Sequence, residues 1–532
     1  MILKSLLPIV CIVFCVQCST EEKPSPDRPN ILFCISDDQS FPHAGAYGTK
    51  WVNTPAFDRV AREGILFTNA YTPNAKCAPS RSCILTGRNS WQLEEAANHV
   101  PYFPAKFKTY AEVLKEAGYL TGYTGKGWAP GDPGQVDGGK RLLLGEAYSE
   151  VKLTPPTKAI SSVDYAANFK SFFESKGADQ PFCFWYGATE PHRRYEYGTG
   201  ISRGNKSKDQ IESVFDFWPD NDTVRTDLLD YAYEIEHFDD HLGQILAYLE
   251  EVGELDNTLV IVTSDNGMPF PRLKGQSYEY SNHLPLAMMW PKGIKNSGRK
   301  FEKFVSFTDY APTILDAAGI NFGSSGMADF EGTSLLPVFG EETYDDEREF
   351  MVIGKERHDL GRPDDWGYPM RGIIDDGFLY LKNYKSDRWP AGHPETGYMN
   401  CDGSPTKTYI INQNRRKEGS EYWDLNFGKR PGEELYMISE DPDCMDNLIE
   451  DPAYGEVLSG LKSMMESELK KEGDPRINGN GDIFDNYEYS QDATRNFYNR
   501  FMAGEDIKAG WINQSDIEPK GFVEEFRRSH GE

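Results

Sequence analysis

Residues 30–38 read Asn30-Ile31-Leu32-Phe33-Cys34-Ile35-Ser36-Asp37-Asp38, a short apolar run that ends in two adjacent acids. Residues 181–186 and 258–263 form similar apolar runs, and the second of them ends at Ser264-Asp265-Asn266-Gly267. Helix-like segments alternate with such runs; they span residues 55–63, 109–117 and 226–251. Short buried strands that alternate with helices predict an α/β fold, in which a parallel sheet is covered on both faces.

The polar residues that follow two of these runs predict a metal site. Ligands of open α/β sheets bind beyond the carboxyl ends of the strands, so Asp37 and Asp38 are expected to lie near Asp265 and Asn266. All four offer oxygen atoms, the donors preferred by calcium and magnesium rather than zinc. The alternative for either pair alone is that adjacent polar residues cap the next helix.

The chain changes character after residue 337. Residues 341–349 form an acidic linker, and shorter strand-like pieces and one helix-like segment follow it, at residues 350–353, 378–383, 434–437 and 456–471. This pattern predicts a smaller antiparallel sheet with one helix. The boundaries expected are 29–345 for the α/β domain that holds the active site, 346–471 for the antiparallel subdomain, and 472–532 for an irregular tail that wraps the body.

The composition limits the partners. The chain has 532 residues, 39% of them hydrophobic, with 84 acidic and 56 basic side chains and a formal net charge of −28. The mean hydropathy is −0.60, as in soluble globular proteins. This charge argues against nucleic acid or an anionic membrane surface as a partner. An anionic substrate remains possible where lysines, arginines and a metal outweigh the overall field at short range.

The N-terminus reads as an export signal. Lys4 precedes an apolar segment at residues 6–16 that is too short to cross a bilayer. Residues 1–18 resemble a bacterial lipoprotein signal with Cys18 as the lipidated residue, followed by a linker at 19–28, although Gln17 stands where a small residue is usual. The expected location is the periplasm or the outer-membrane surface, with a lipid anchor as the only membrane contact; plain secretion is the alternative.

The remaining cysteines show no paired spacing of the zinc-binding kind. Cys34 and Cys183 lie in the apolar runs and are expected to be inert core residues. Cys77 differs, because it opens the helix-like motif Cys77-Ala78-Pro79-Ser80-Arg81, which is followed by Leu85-Thr86-Gly87-Arg88.

With the acidic pairs, this motif resembles the sulfatases of the formylglycine type, most strongly the bacterial proteins similar to heparan N-sulfatase (sulfamidase). The resemblance covers residues 29–450, and its supporting runs are residues 37–38, 77–88, 189–193, 257–271, 305–313 and 368–371. It implies the alkaline-phosphatase-like sulfatase fold, a large mixed, mostly parallel sheet between helices plus a smaller C-terminal antiparallel sheet.

The resemblance also implies the chemistry. A formylglycine-generating or radical SAM maturase would convert Cys77 to 3-oxoalanine (formylglycine), whose hydrate attacks sulfur with one hydroxyl and later expels sulfate with the other. Arg81 would hold that hydroxyl, and Lys126 would contact sulfate. His192 and Lys274 would bind the bridging atom and supply the proton to the leaving group. One Ca²⁺ would sit on the four predicted metal ligands.

Two of the catalytic roles implied by the resemblance are left open, that of the base and that of Lys274. Many of these sulfatases carry a histidine two residues after the lysine, where this chain has Trp128. His99 and His43 are candidates for the missing base. The alternative is that both are ordinary loop histidines without a catalytic role. Arg272 could replace Lys274 at a slightly different reach.

Substrate contacts are predicted in the smaller domain. Arg357 and His358 follow a strand-like piece, and Arg388 adjoins Trp389. Guanidinium groups suit sulfates and carboxylates, and indole faces suit sugar rings. Arg371 is the fourth candidate. The structural alternative is a core tryptophan with arginines in ordinary ion pairs.

The function expected is an exported calcium-dependent sulfatase acting on an O-sulfated polysaccharide or oligosaccharide. The alternatives are an N-sulfoglucosamine sulfohydrolase, a phosphoester hydrolase of the same superfamily, and a catalytically silent carbohydrate-binding protein. Related phosphodiesterases place a histidine after the aspartate and bind two zinc ions, so Asn266 favours one hard cation and therefore sulfate.

Overall fold

The computed structural model describes residues 28–340 and 348–530. The predicted signal peptide, nearly all of the linker after it, and most of the acidic linker at 341–349 lie outside these residues. Across the two described ranges, no helix combines the length and the apolar character needed to cross a membrane.

The main sheet contains nine of the described strands, in the order β10-β2-β9-β8-β1-β7-β3-β6, with β11 also paired to β2. Their bounds are β1 Asn30–Ser36, β2 Ile65–Tyr71, β3 Leu120–Gly125, β6 Glu146–Ala147, β7 Phe182–Gly187, β8 Thr258–Ser264, β9 His283–Met289, β10 Arg299–Phe301 and β11 Val305–Ser306. The strands β8, β1, β7, β3 and β6 pair in parallel, and β9 is antiparallel to both β8 and β2. β4 (Gln135–Val136) and β5 (Gly139–Lys140) form a separate hairpin.

Helices cover both faces of this sheet. The described helices are α1 Pro55–Glu63, α2 Cys77–Thr86, α3 Tyr110–Glu116, α4 Tyr165–Glu174, α5 Thr199–Ser202, α6 Asp222–Glu251, α7 Glu279–Asn282, α8 Tyr310–Ala317, α9 Leu336–Phe339, α10 Pro405–Arg415, α11 Ser420–Phe427, α12 Gly455–Lys471, α13 Ile483–Asn486, α14 Phe497–Met502 and α15 Phe522–His530. Phe33 and Ile35 of β1 pack with residues of α2, α3 and α8, while Leu32 and Cys34 pack with residues of α1, α4 and α6. Burial on both faces explains why β1 is apolar at consecutive positions.

A second, antiparallel sheet follows in the order β12-β13-β14-β15. Its strands are β12 Phe350–Lys355, β13 Met370–Asp375, β14 Phe378–Asn383 and β15 Glu433–Tyr436. Leu461, Met465 and Leu469 of α12 pack against one face of this sheet. The predicted fold class, a mostly parallel sheet between helices plus a smaller antiparallel sheet, is therefore confirmed.

The predicted elements begin and end within a few residues of the expected positions, whereas several strands, among them β2, β3, β9 and β13, have no counterpart in the sequence prediction. α3 starts after Thr109, whose hydroxyl accepts a hydrogen bond from the Glu112 amide while the Glu112 carboxylate accepts one from the Thr109 amide. α6 starts at Asp222, four residues before the predicted start, because the Asn221 side chain caps the amides of Thr223 and Val224. The tail after residue 472 contains three short helices, and the Asp485 carboxylate accepts a hydrogen bond from the Gly367 amide.

Candidate active site

The ends of two adjacent parallel strands bring the predicted metal ligands together. β1 and β8 pair with Ser36 opposite Ser264, so the residues that follow them meet beyond the sheet edge. The Asp38 amide donates to Asp265 Oδ1 at 3.0 Å, and Asn266 Nδ2 donates to Asp38 Oδ1 at 2.7 Å. Asp38 adopts a left-handed backbone conformation with φ 75°, which is uncommon outside glycine and often marks a functional site.

Cys77 begins α2 directly beside this cluster. Its Sγ lies 3.6 Å from Asp37 Oδ1 and 3.8 Å from Asp38 Oδ1. Arg81 lies four residues later on the same face of the helix, and its Nε donates to Asp265 Oδ2 at 2.8 Å. The Arg81 Nη1 group donates to the backbone carbonyls of Lys126 (2.9 Å) and Gly127 (2.7 Å), which fixes the guanidinium across the strand ends.

The next two parallel strands deliver Lys126 and His192. Lys126 follows β3, and its Nζ contacts Asp37 Oδ1 at 2.7 Å and Oδ2 at 2.6 Å. His192 follows β7; its Nδ1 donates to the carbonyl oxygen of Arg193 at 2.6 Å, since a carbonyl can only accept. His192 Nε2 therefore faces the cluster, 3.8 Å from Asp38 Oδ2. The His192 side chain is 30% exposed and that of Lys126 is 13% exposed, so the cluster meets solvent on this side.

Lys274 reaches the cluster from the loop between β8 and β9. Its Nζ lies 2.6 Å from Asp38 Oδ2 and 2.6 Å from Asp402 Oδ2, and all three side chains are buried. Arg272, the alternative to Lys274, points elsewhere. Its guanidinium donates to the backbone carbonyls of Leu425 and Cys444.

The charges of the cluster compensate one another. Burial opposes ionisation of Asp37, but Lys126, His192 and Arg81 outweigh it and lower its pKa to about 2. Burial alone would lower the pKa of Lys126, but Asp37 reverses that effect and raises it to about 12. Burial and the neighbouring carboxylates raise the pKa of the Cys77 thiol well above its ordinary value, although Lys126 opposes them. An unmodified Cys77 is therefore a neutral thiol rather than a nucleophilic thiolate.

The donor set fits one hard cation. Ligand atoms of Asp37, Asp38, Cys77 and Asp265 all lie within 4.8 Å of one another. Asn266 Oδ1 is buried and has no hydrogen-bond partner among the described residues, as expected of an amide oxygen that faces a cation. Carboxylate and amide oxygens are the ligands of calcium or magnesium.

Trp128 is a core residue. Its indole Nε1 donates to Ser82 Oγ at 2.9 Å, and its ring packs edge-on against Phe103. Of the histidines proposed as substitutes for the missing base, His43 contacts the Tyr231 hydroxyl, and burial lowers its pKa to about 3. His99 Nδ1 lies 3.0 Å from Asp359 Oδ1, and burial lowers its pKa to about 4 despite that carboxylate.

The predicted substrate residues are spread over the smaller domain. His358 Nε2 contacts Asn74 Oδ1 at 2.7 Å, and Asn74 lies three residues before Cys77 in the chain. Arg357 donates to the Tyr487 carbonyl, Arg371 pairs with Asp474 and Glu356, and Arg388 pairs with Asp485. These three arginines form no hydrogen bond or ion pair with the cluster among the described residues. Arg357 and Arg371 are buried, so the structural alternative describes them better than direct substrate contact does.

Sequence reasoning missed two groups beside the cluster. Asp402 shares Lys274 with Asp38, and Asp359 pairs with Lys76, which immediately precedes Cys77. Neither acid follows a strand of the main sheet, so the rule that found Asp37 and Asp265 did not apply to them. The Cys401-Asp402-Gly403 segment carries no spacing that marks it as part of a site.

Three known proteins that are similar to this chain in sequence are named as sulfatases or sulphohydrolases. An Ulvan-active sulfatase from Formosa agariphila is 28% identical over 455 residues, which cover 84% of this chain and 81% of the relative. Human N-sulphoglucosamine sulphohydrolase is 28% identical over 497 residues, covering 86% of this chain and 92% of the relative. The N-acetylglucosamine-6-O-sulfatase of Bacteroides thetaiotaomicron is 27% identical over 427 residues, with 63% and 75% covered.

Solved structures share the fold. A protein in complex with its substrate D-glucosamine-2-N,6-O-disulfate superposes with a TM-score of 0.61 at 22% identity, covering 85% of this chain and 99% of the other. The phosphonate monoester hydrolase of Agrobacterium radiobacter superposes with a TM-score of 0.57 at 18% identity, covering 84% and 96%. The family model described as "Sulfatase" matches residues 29–320, more than half of the chain, and contains every residue of the cluster, whereas Asp359 and Asp402 beside the cluster lie outside the matched range. The chain belongs to the sulfatase family.

Proposed function

We propose that this sulfatase is an exported, calcium-dependent enzyme that removes sulfate from an O-sulfated polysaccharide or oligosaccharide, with formylglycine formed from Cys77 as its nucleophile. The observation that carries the proposal is the position of Cys77. A buried thiol at the start of α2 lies within 4 Å of two carboxylates that follow β1, and Arg81 binds the acid that follows β8. A structural thiol has no need of such surroundings.

The residues around Cys77 have separate roles in the proposed reaction. When formed, formylglycine supplies a geminal diol as the nucleophile, and a bound calcium ion supplies a Lewis acid for the sulfuryl oxygens. Asp37, Asp38, Asp265 and Asn266 would hold the ion, which satisfies the free Asn266 Oδ1. Lys126 and Lys274 stabilise negative charge on the sulfuryl oxygens. His192, the most exposed member of the site, stands where a leaving sugar oxygen can receive a proton from Nε2.

Two relatives of equal identity differ in the sulfated sugar that their names give. One is named for ulvan and the other for N-sulphoglucosamine. We favour an O-sulfate ester because the proposed export and the acidic surface suit extracellular polysaccharide. The sulfamate of N-sulfoglucosamine is the second candidate.

The test is release of sulfate or phosphate from a matched panel of N-sulfated glucosamine, O-sulfated oligosaccharides, including ulvan fragments, and phosphoesters. The enzyme is co-produced with a formylglycine maturase. Release from O-sulfated members alone supports the proposal. Release from N-sulfoglucosamine alone makes the protein a sulfamidase, and phosphate release from phosphoesters without sulfate release refutes both.

Metal removal gives an independent prediction. We expect the purified protein to contain about one calcium ion, and chelation followed by buffer exchange to lower sulfate release by roughly 10²-fold or more, with recovery on adding Ca²⁺. Asp265→Ala should lose both calcium and activity, because Asp265 joins Arg81 to the cluster. Elemental analysis with parallel rate measurements checks this. Two zinc ions in place of calcium would contradict it and favour the phosphoester hydrolase.

Export and maturation complete the proposal. Residues 1–18 would direct the chain to the periplasm or the outer-membrane surface, with Cys18 as a possible lipid anchor. The maturase would act on the Cys77 motif. A silent carbohydrate-binding protein is disfavoured, because the Cys77 motif is intact and its thiol lies beside Asp37 and Asp38.

A further inference from the structure

A cavity far from the Cys77 motif in sequence opens between the smaller domain and the tail. Its volume is about 580 Å³, and we call it the Trp366 pocket. None of the cluster residues lines it. The lining residues used below are Arg362, Trp366, Arg388, Glu395 and Arg527.

An exposed tryptophan forms one wall. Trp366 is 39% exposed, the only tryptophan among the exposed large hydrophobic side chains of the described residues. The Arg388 guanidinium lies 4.8 Å from the centre of its ring. Arg388 is fixed in turn by the Gly367 carbonyl at 2.8 Å and Asp485 at 2.9 Å. Arg388 and its partners therefore fix the position of the indole ring. This lowers the entropic cost of stacking a sugar ring on it.

An anionic ligand also needs a positive charge in the pocket, and Arg362 supplies it. This side chain is buried, and its donors reach only backbone carbonyls, those of Trp389 at 2.7 Å, Pro390 at 2.9 Å and Trp366 at 3.4 Å. It forms no ion pair with any carboxylate of the described residues. Burial lowers its pKa to about 10, so it stays charged at neutral pH. A buried cation without a counter-ion is costly in a folded protein unless something else compensates it.

Further charges on the pocket wall are consistent with an anionic ligand. Four cationic and three acidic side chains line the cavity, in a chain whose net charge is −28. Arg527 on α15 is exposed and pairs with no described residue. Among the acids, Glu395 accepts hydrogen bonds from the amides of Gly521 and Val523, so it is engaged in holding the start of α15.

We propose that the Trp366 pocket binds a sulfated sugar residue of a polysaccharide, as a second site separate from the sugar at Cys77. Trp366 stacks on the ring, while Arg362 and Arg527 attract the sulfate; the charge of Arg388 is already paired with Asp485. A neutral sugar needs no unpaired guanidinium, and a small inorganic anion needs no exposed indole. This inference rests on the proposed function for its ligand class, but it concerns binding and not hydrolysis.

The test measures binding alone. Cys77→Ala protein is titrated by calorimetry with a heparin hexasaccharide and an ulvan octasaccharide, each beside its desulfated counterpart. Trp366→Ala and Arg527→Glu, made in the same background, should each weaken binding of at least one sulfated probe by tenfold or more. Arg416→Glu, an equal charge reversal on the exposed end of α10, should not.

Three results would overturn the proposal: no binding of either sulfated probe, equal binding by the Trp366 and Arg527 variants, or equal affinity for the desulfated probes. Thermal unfolding checks that each variant is folded, and Arg527→Glu remains informative if Trp366→Ala does not fold. If the active enzyme releases no sulfate from any substrate, the proposed function fails while this binding result still stands, because the assay uses protein without Cys77.

Discussion

The Cys77→Ala variant is expected to lose sulfate release by roughly 10³-fold or more, because it removes the group that becomes the nucleophile. The fold should survive. Cys77 occupies a buried position, yet alanine keeps its Cβ and the helix start, and alanine is the best helix former. Sulfate release under saturating substrate, compared with the enzyme co-produced with maturase, measures the loss.

Cys83→Ala is the matched control. Cys83 is a second buried cysteine of the same helix, and its thiol contacts none of the carboxylates that surround Cys77. The control should lose stability slightly and keep most of the activity. Mass spectrometry of the mature enzyme should also show an aldehyde group in place of the CH2–SH side chain of Cys77. Full activity from an enzyme with unconverted Cys77, or from Cys77→Ala, would contradict the mechanism.

The strand ends were predictable from sequence, and so was the core of the site. β1 and β8 are apolar over their whole length because both faces of the sheet are buried, and such runs end visibly at Asp37 and Asp265. Parallel pairing then forces the two ends to the same edge. A sequence pattern and one rule of topology therefore suffice to bring residues 228 positions apart into hydrogen-bond contact.

The rest of the site depends on contacts that leave no local pattern. Asp402 reaches Lys274 from an irregular segment that α10 and the tail hold in place, since Lys407 donates to the Cys401 carbonyl and the Gly403 amide donates to the Trp511 carbonyl. Nothing near Asp402 in sequence marks the acid. Arg371 is the opposite case, a candidate chosen from the sequence whose side chain lies in the interior. Its position directly after Pro369 and Met370 suggests a substrate contact, but Glu356 and Asp474, the latter 103 residues away, occupy its guanidinium in the interior. Trp128 likewise follows Lys126 by two residues in sequence, but its side chain packs in the core.

After Cys77, we expect substitution of Lys274 to cause the next largest loss of activity. Burial disfavours its charge, but Asp38 and Asp402 outweigh that effect and hold its pKa well above the ordinary value. Such a lysine keeps its proton, so it clamps negative charge, and proton donation falls to His192. We expect Lys274→Ala to lower kcat/KM by about 10²–10⁴-fold, mostly through kcat. Arg272→Lys, whose side chain points away from the cluster, should change kcat/KM by less than about tenfold.

Asp402 provides the check on this assignment, because it is placed to act through Lys274. Asp402→Asn should cost about tenfold or less in kcat/KM, since Asp38 alone still holds the ammonium. If Asp402 works only by positioning Lys274, the double variant Lys274→Ala/Asp402→Asn should be no slower than Lys274→Ala, and removing the unpaired acid should restore some stability lost in the single variant. Kinetics and thermal unfolding of the four proteins complete the cycle. Fully additive losses would instead show that Asp402 acts on the substrate independently of Lys274.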